Sequence, residues 1–227
     1  TPLAFAIFSH CSSRAGDPNL HFHAVCPNLV LHENANGKLR VTALDSTNFY
    51  HHKMTAGALF RASLAAGLQE LGLEVERDRF AFRLKGFSEA VCEKFSQRRA
   101  EIVEGILSAA KVMGNLSELD AREVLTASAG KMAELVTLST RRNKKEYTRA
   151  ELFPVWQDIA RGLGVEPGYV ESLIQEPRKL SIGQRGEAME QLFKGGMDRM
   201  NEEFSHFAKK DLTPLLAEEA QCTRLSA

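Results

Sequence analysis

The sequence predicts an α+β fold, rich in strands up to about residue 86 and all-helical beyond it. Three observations carry this. The run Leu3–Phe8 (LAFAIF) is apolar and aromatic with no helical stripe, as in a strand covered on both faces. Asn36-Gly37 is a hairpin signal between two β-prone runs. From Ser46 onward Phe49, Met54, Leu59, Leu64, Leu68 and Leu71 recur at helical spacing, and no convincing strand follows Gly86. The 227 residues are 44% hydrophobic and 26% charged, which provides for a real core and excludes the disordered and fibrous classes. Lys plus Arg (29) balance Asp plus Glu (29), so no global basic field exists and any polyanion site has to be local.

Taken in order, Leu3 to His10 reads as the first strand and CSSRAGDPNL as turn chemistry. HFHAVCPNLVLHE reads as a long second strand, interrupted at Pro27 because proline lacks the N–H a ladder needs. Asn36-Gly37 predicts a type I′ turn, with both residues at positive φ, and KLRVTAL the return strand. A helix is predicted over Ser46 to Leu71 with Gly72 at its C-terminal cap, then a short hairpin within Leu73 to Leu84 around Arg77-Asp78. Further helices are expected over 88–112, 120–138 and 148–163 (a Thr148/Glu151 capping box), and within 168–174 and 184–216. The division implied is 1–86 for the sheet portion, 87–165 for a helical part, and 166–227 for a helical extension or linker.

The four cysteines, Cys11, Cys26, Cys92 and Cys222, form no C-x-x-C pair, so neither a disulfide framework nor a zinc ribbon is suggested. No run of about 18 apolar residues appears. A cytoplasmic protein without a membrane span is the expectation. The histidines are skewed: His10, His21, His23, His32, His51 and His52 lie in the first quarter, and His206 alone lies beyond. In a strand His21 and His23 share a face, and the turn between allows His10 to come alongside as a third imidazole. Three neutral imidazoles leave coordination positions open for a substrate oxygen. Histidines satisfied in a core are the alternative, and Cys11, His21, His23 and Cys26 are a competing zinc set, although Cys26 stands at an odd offset from His23.

The segment FSHCSSRAGDPNLHFHAV resembles the metal-binding motif of TrwC/TraI-type conjugative relaxases, the MobF class of HUH endonucleases, read as F-x-H-x-x-S-R-A-x-D-P-x-L-H-x-H. Phe8, His10, Ser13, Arg14, Ala15, Asp17, Pro18, Leu20, His21 and His23 stand in register with it. The similarity continues through GKLRVTALDSTNFYHHKMTAGALFRASLAAGLQELGLEVE, FSQRRAEI and TRRNKKEYTRAELFPVWQDIARGLG, covering roughly the first 165 residues. FSHFAKKDL distantly resembles the passage into the helicase-like module of such proteins.

The resemblance implies a five-stranded antiparallel HUH-type palm, incomplete here, with His10, His21 and His23 binding a divalent metal, Mg²⁺ or Mn²⁺. It implies metal-dependent nicking and strand transfer of single-stranded DNA at a plasmid transfer origin, with a helicase module or other conjugation proteins as partners and no membrane. The family's nucleophilic tyrosines precede its histidine motif, so the expectation is an N-terminally shortened relaxase domain with no secure nucleophile, or a non-catalytic DNA-binding remnant. Tyr50, in Y-x-x-K with Lys53, is read as packing at the palm edge, with a replication-initiator-like nickase using Tyr50 as the alternative. Arg14, Lys53, Arg61 and the basic run Arg141, Arg142, Lys144 and Lys145 are the candidate DNA contacts. Asp17-Pro18 reads as a turn and Trp156 as a core residue.

Overall fold

A computed structural model of the chain describes residues 3–78, 81–112, 147–176, 180–203, 206 and 208–225. Its elements in chain order are β1 (Ala6–Ser12), β2 (Pro18–Val25), β3 (Val30–Glu33), β4 (Leu39–Thr42), α1 (Thr47–Glu70), β5 (Val75–Asp78), β6 (Ala81–Leu84), α2 (Glu89–Lys94), α3 (Gln97–Val112), α4 (Arg149–Gly162), α5 (Tyr169–Leu173), α6 (Ile182–Glu203) and α7 (Lys209–Ala220). The α+β class holds, and among the described residues every strand precedes Gly86. The predicted helix over 120–138 lies outside the described residues. The chain forms two compact units, Thr1–Asn28 with Ser88–Glu166, and Leu29–Phe87 with Pro167–Ala227.

The first unit holds the hairpin β1–β2 and helices α2, α3 and α4. Its buried apolar residues include Val91, Ile106 and Leu152. The helix predicted over 88–112 is broken at Phe95 and Ser96. Ser96 Oγ turns back to donate to the Cys92 carbonyl (2.6 Å), a local bond that competes with helix continuation. The Thr148 capping box opens α4: Thr148 N donates to Glu151 Oε2 (2.7 Å) and Glu151 N to Thr148 Oγ1 (3.3 Å). The backbone N–H and then the hydroxyl of Thr148 hold the Glu151 carboxyl below its ordinary range.

In the second unit α1 packs on α7 through Ala58, Ala62 and Ala217, small residues that let the helices approach closely. The helical stretch expected within 184–216 is divided: α6 ends at Glu203 and α7 packs back on it, burying Met200 and Leu215. Arg199 Nη1 bridges Glu218 (3.0 Å) and Glu219 (3.1 Å), and Arg77 reaches Glu219 at 2.7 Å. Burial pushes the Glu219 carboxyl up, but the hydrogen bonds from Arg77 and Arg199 outweigh it and hold the group below its ordinary value. At the end of α1, Gly72 N bonds the Gln69 carbonyl and Leu73 N the Leu68 carbonyl, with Gly72 at φ +87°, which completes a Schellman cap.

Two expectations about the strands need correction. Among the described residues the strands pair as three two-stranded antiparallel ribbons, β1–β2, β3–β4 and β5–β6. In a two-stranded ribbon the apolar side chains are not covered on both faces, so Ile7 and Phe8 are 61% and 53% exposed. The β3–β4 hairpin forms at Asn36-Gly37, but Gly37 has φ +72° and Asn36 does not share the left-handed region. The Asn34 side chain accepts from the N–H groups of Asn36 and Lys38 (both 3.0 Å), which favours a type I turn closed by one left-handed glycine over a type I′ turn.

Candidate metal centre

β1 and β2 pair so that His10 stands directly opposite His21, and Phe8 opposite His23. Since side chains two apart on a strand share a face, this register gathers three imidazoles on one side of the hairpin. The ring centroids are 5.4 Å (His10–His21), 4.7 Å (His10–His23) and 5.0 Å (His21–His23) apart. One nitrogen from each ring lies within 4.8 Å of the others, a spacing that one ion bound at about 2.0–2.1 Å draws together by ring rotation. His10 and His21 are half-buried and His23 is exposed.

The register shifts between His10 and Ser12: Asn19 and Leu20 on β2 oppose Cys11 alone on β1. This bulge brings the Asn19 carbonyl to 2.9 Å from His21 Nδ1. A carbonyl can only accept, so in the neutral ring this bond favours the proton on Nδ1 and leaves the Nε2 lone pair for a ligand. Histidine ligands of metals are commonly oriented by such a second bond. Among the described residues, the group of His, Cys, Asp or Glu close enough to hold an ion is His10, His21 and His23, and the set with Cys11 and Cys26 does not assemble.

The turn joining the two strands is tied down at Ser13 and Asp17. Ser13 Oγ accepts from Ala15 N (3.2 Å) and Asp17 N (3.1 Å) and donates to Asp17 Oδ2 (3.3 Å). Asp17 is 3% exposed, and its carboxylate also accepts from Gln97 Nε2 (2.9 Å) and Arg98 N (3.4 Å) at the start of α3. Trp156 on α4 donates its indole N–H to the Gly16 carbonyl at 2.7 Å. Sequence reasoning missed this role of Asp17. The one signal was indirect: α3 has no acidic residue of its own in the first turn.

The other sequence-derived candidates fall as follows. Arg14 is exposed in the 13–17 turn. Tyr50 lies in the first turn of α1 and is 69% exposed, so it does not pack against a sheet edge; the buried stripe of α1 begins two turns later, at Ala58. Lys53 is exposed on the same helix. Arg61 is half-buried and pairs with Glu218 at 3.9 Å. Arg141, Arg142, Lys144 and Lys145 lie outside the described residues. Among the described residues no helix is long and apolar enough to cross a membrane, and all four cysteines are free thiols.

Fold and site together define an α+β protein carrying, on an antiparallel hairpin, three histidines close enough together to hold one metal ion. The TrwC relaxase family model matches residues 1–163, and the chain belongs to that family. A solved structure of the conjugative relaxase TrwC in complex with oriT DNA, metal-free, is 27% identical with a TM-score of 0.57, over 72% of this chain and 53% of that one. A metal-bound TrwC–oriT DNA structure gives 27% identity and a TM-score of 0.56, over 72% of this chain and 52% of that one. TrwC with a 27-mer DNA comprising the recognition hairpin and the cleavage site gives 28% and 0.55, over 72% and 53%. The multifunctional conjugation protein TraI of Escherichia coli (strain K12) is 33% identical over 81 residues, 33% of this chain and 4% of that protein. The chain therefore spans about half of the TrwC chains it matches (53%) and a small part of TraI (4%).

Proposed function

We propose that His10, His21 and His23 hold one divalent ion and that the chain serves a relaxase reaction, the nicking and transfer of single-stranded DNA at a plasmid transfer origin. The observation that carries this is the convergence of three imidazoles in a family whose solved members are bound to oriT DNA. The donor set fits a divalent ion with nitrogen affinity. Of the two ions the family resemblance implies, Mn²⁺ fits better than Mg²⁺, which demands oxygen ligands and sheds water reluctantly. When bound, such an ion neutralises charge that builds on the phosphoryl oxygens of a scissile phosphodiester.

Beside that centre the chain carries its own phosphate contact. Arg14, exposed in the turn beside the triad, offers a guanidinium fork to two phosphate oxygens. Lys53 and the basic residues Arg141, Arg142, Lys144 and Lys145 add backbone contacts whose strength falls with salt. The test is calorimetric titration of the chain with Mn²⁺, followed by fluorescence anisotropy with a single-stranded transfer-origin oligonucleotide. One ion per chain and tighter DNA binding with Mn²⁺ are expected; absence of metal binding sinks the reading.

The exposure of Tyr50, 69%, favours a second reading in which its hydroxyl is the nucleophile of a replication-initiator-like nickase. In that reading Tyr50→Phe abolishes a covalent protein–DNA adduct while Mn²⁺ binding persists. If nicking survives the substitution, Tyr50 has no such role. DNA binding with no adduct from the parent chain would identify a non-catalytic DNA-binding remnant.

A further inference from the structure

We propose that Asp17 is a positioning residue for the histidine triad: its carboxylate latches the β1–β2 turn to the N-terminus of α3 and thereby holds the Asn19 carbonyl against His21 Nδ1. The proposal rests on the metal-centre reading above and adds to it the residue that fixes the tautomer and orientation of one ligand.

An isolated two-stranded hairpin is marginally stable in water. The β1–β2 ribbon exposes Ile7, Phe8, Leu20 and Phe22 by 53–74%, so lateral packing does little to fix it. Long-range hydrogen bonds reach it at the turn instead, from Gln97 and Arg98 to Asp17 and from Trp156 to Gly16. Asp17 is one residue from Pro18, where β2 begins, and two from Asn19, and Gly16 stands one residue further back.

The latch also answers a need of the helix. The first N–H groups of α3 lack intrahelical partners. Ser96, at the position that would cap it, directs its hydroxyl to the Cys92 carbonyl, and the first turn of α3 carries no acid. Asp17 supplies the missing anion from 81 residues away, accepting from Arg98 N where the helix dipole favours negative charge. Buried at 3% exposure and accepting from Gln97, Arg98 and Ser13, the carboxylate is held from two directions. Displacing it frees the Pro18–Asn19 segment, and with it the carbonyl that keeps the His21 proton on Nδ1 and Nε2 open.

The first readout is nitrogen-15 NMR of the metal-free chain, which reports histidine tautomers directly. His21 is expected as the Nδ1–H form in the parent and as a mixture dominated by Nε2–H in Asp17→Ala. The second is Mn²⁺ affinity, expected to fall about 10–100-fold, the usual loss when a ligand's orienting partner is removed. Asp17→Asn, which keeps one acceptor oxygen but loses the charge and turns an NH2 toward the other donors, is expected to fall between the parent and Asp17→Ala in both. Thr148→Ala removes the α4 cap about two turns before Trp156 and leaves the Asp17 bonds in place, so it weakens the fold yet leaves tautomer and affinity unchanged. Should Asp17→Ala fail to fold, Gln97→Leu removes one latch bond from the α3 side and is expected to lower affinity several-fold. An unchanged His21 tautomer and unchanged affinity in the folded Asp17 or Gln97 variants overturn the proposal, as does an equal loss in Thr148→Ala. A parent chain that binds no Mn²⁺ refutes the metal-centre reading instead, while the tautomer of the metal-free chain still decides the latch.

Discussion

Replacing Gly72 by alanine tests how the long helix α1 is terminated. Gly72 sits at φ +87°, where an L side chain costs about 1–2 kcal/mol. A Cβ there would also collide with the Gln175 carbonyl oxygen, a backbone atom that cannot swing aside. The Gln175 N–H donates to the Gly72 carbonyl at 2.8 Å, so moving that peptide forfeits a bond with a net value of about 0.5–1.5 kcal/mol. The expected loss is about 2–3 kcal/mol. Gly67, five residues earlier inside α1, meets nothing within 4 Å of an added Cβ, and Gly67→Ala is expected to stabilise by about 0.5–1 kcal/mol through helix propensity. Urea unfolding followed by far-UV circular dichroism measures both, with the slope m unchanged. Shifts of the same sign for the two variants, or a Gly72→Ala loss below about 0.5 kcal/mol, would refute the cap assigned here.

His23→Ala removes one of three ligands. Structural zinc sites are worth about 10–16 kcal/mol over four ligands, so Mn²⁺ affinity should fall about 10²–10³-fold in calorimetry; His32→Ala, on exposed β3, should change nothing. Arg14→Ala is expected to reduce the slope of log Kobs against log salt for single-stranded DNA by about 0.7, read by anisotropy at several ionic strengths. Because Arg77 and Arg199 hold the folded Glu219 carboxyl below its ordinary 4.5, its stabilising contribution is complete above that pH. It is lost as the pH falls through the folded-state value. Glu219→Gln should therefore lower Tm at neutral pH and narrow its gap to the parent under acid conditions.

The triad geometry was legible because strand alternation is a short-range rule: His21 and His23 share a face whatever surrounds them, and the turn chemistry of Ser13 to Pro18 brings β1 back beside them. The caps at Gly72 and Thr148 were legible for the same reason, since each is closed by neighbours in sequence. What escaped depends on distant partners. Asp17 looks like an ordinary turn residue until Gln97 and Arg98 arrive beside it, and the break at Ser96 hides inside a continuous helical pattern. The apolar run of β1 reported a strand correctly, but apolarity alone does not say that a covering layer is present, and Ile7 is 61% exposed. The type of the β3–β4 turn was decided by Asn34, a residue outside the Asn-Gly pair that announced the hairpin.

The most direct test of the metal centre is pulsed electron paramagnetic resonance of Mn²⁺ bound to the nitrogen-15-labelled chain, with His10→Ala, His21→Ala and His23→Ala alongside. One Mn²⁺ per chain with couplings to three imidazole nitrogens, one coupling disappearing in each variant, is the predicted result. An ion held without nitrogen couplings, or bound equally by the parent and all three variants, would contradict the account.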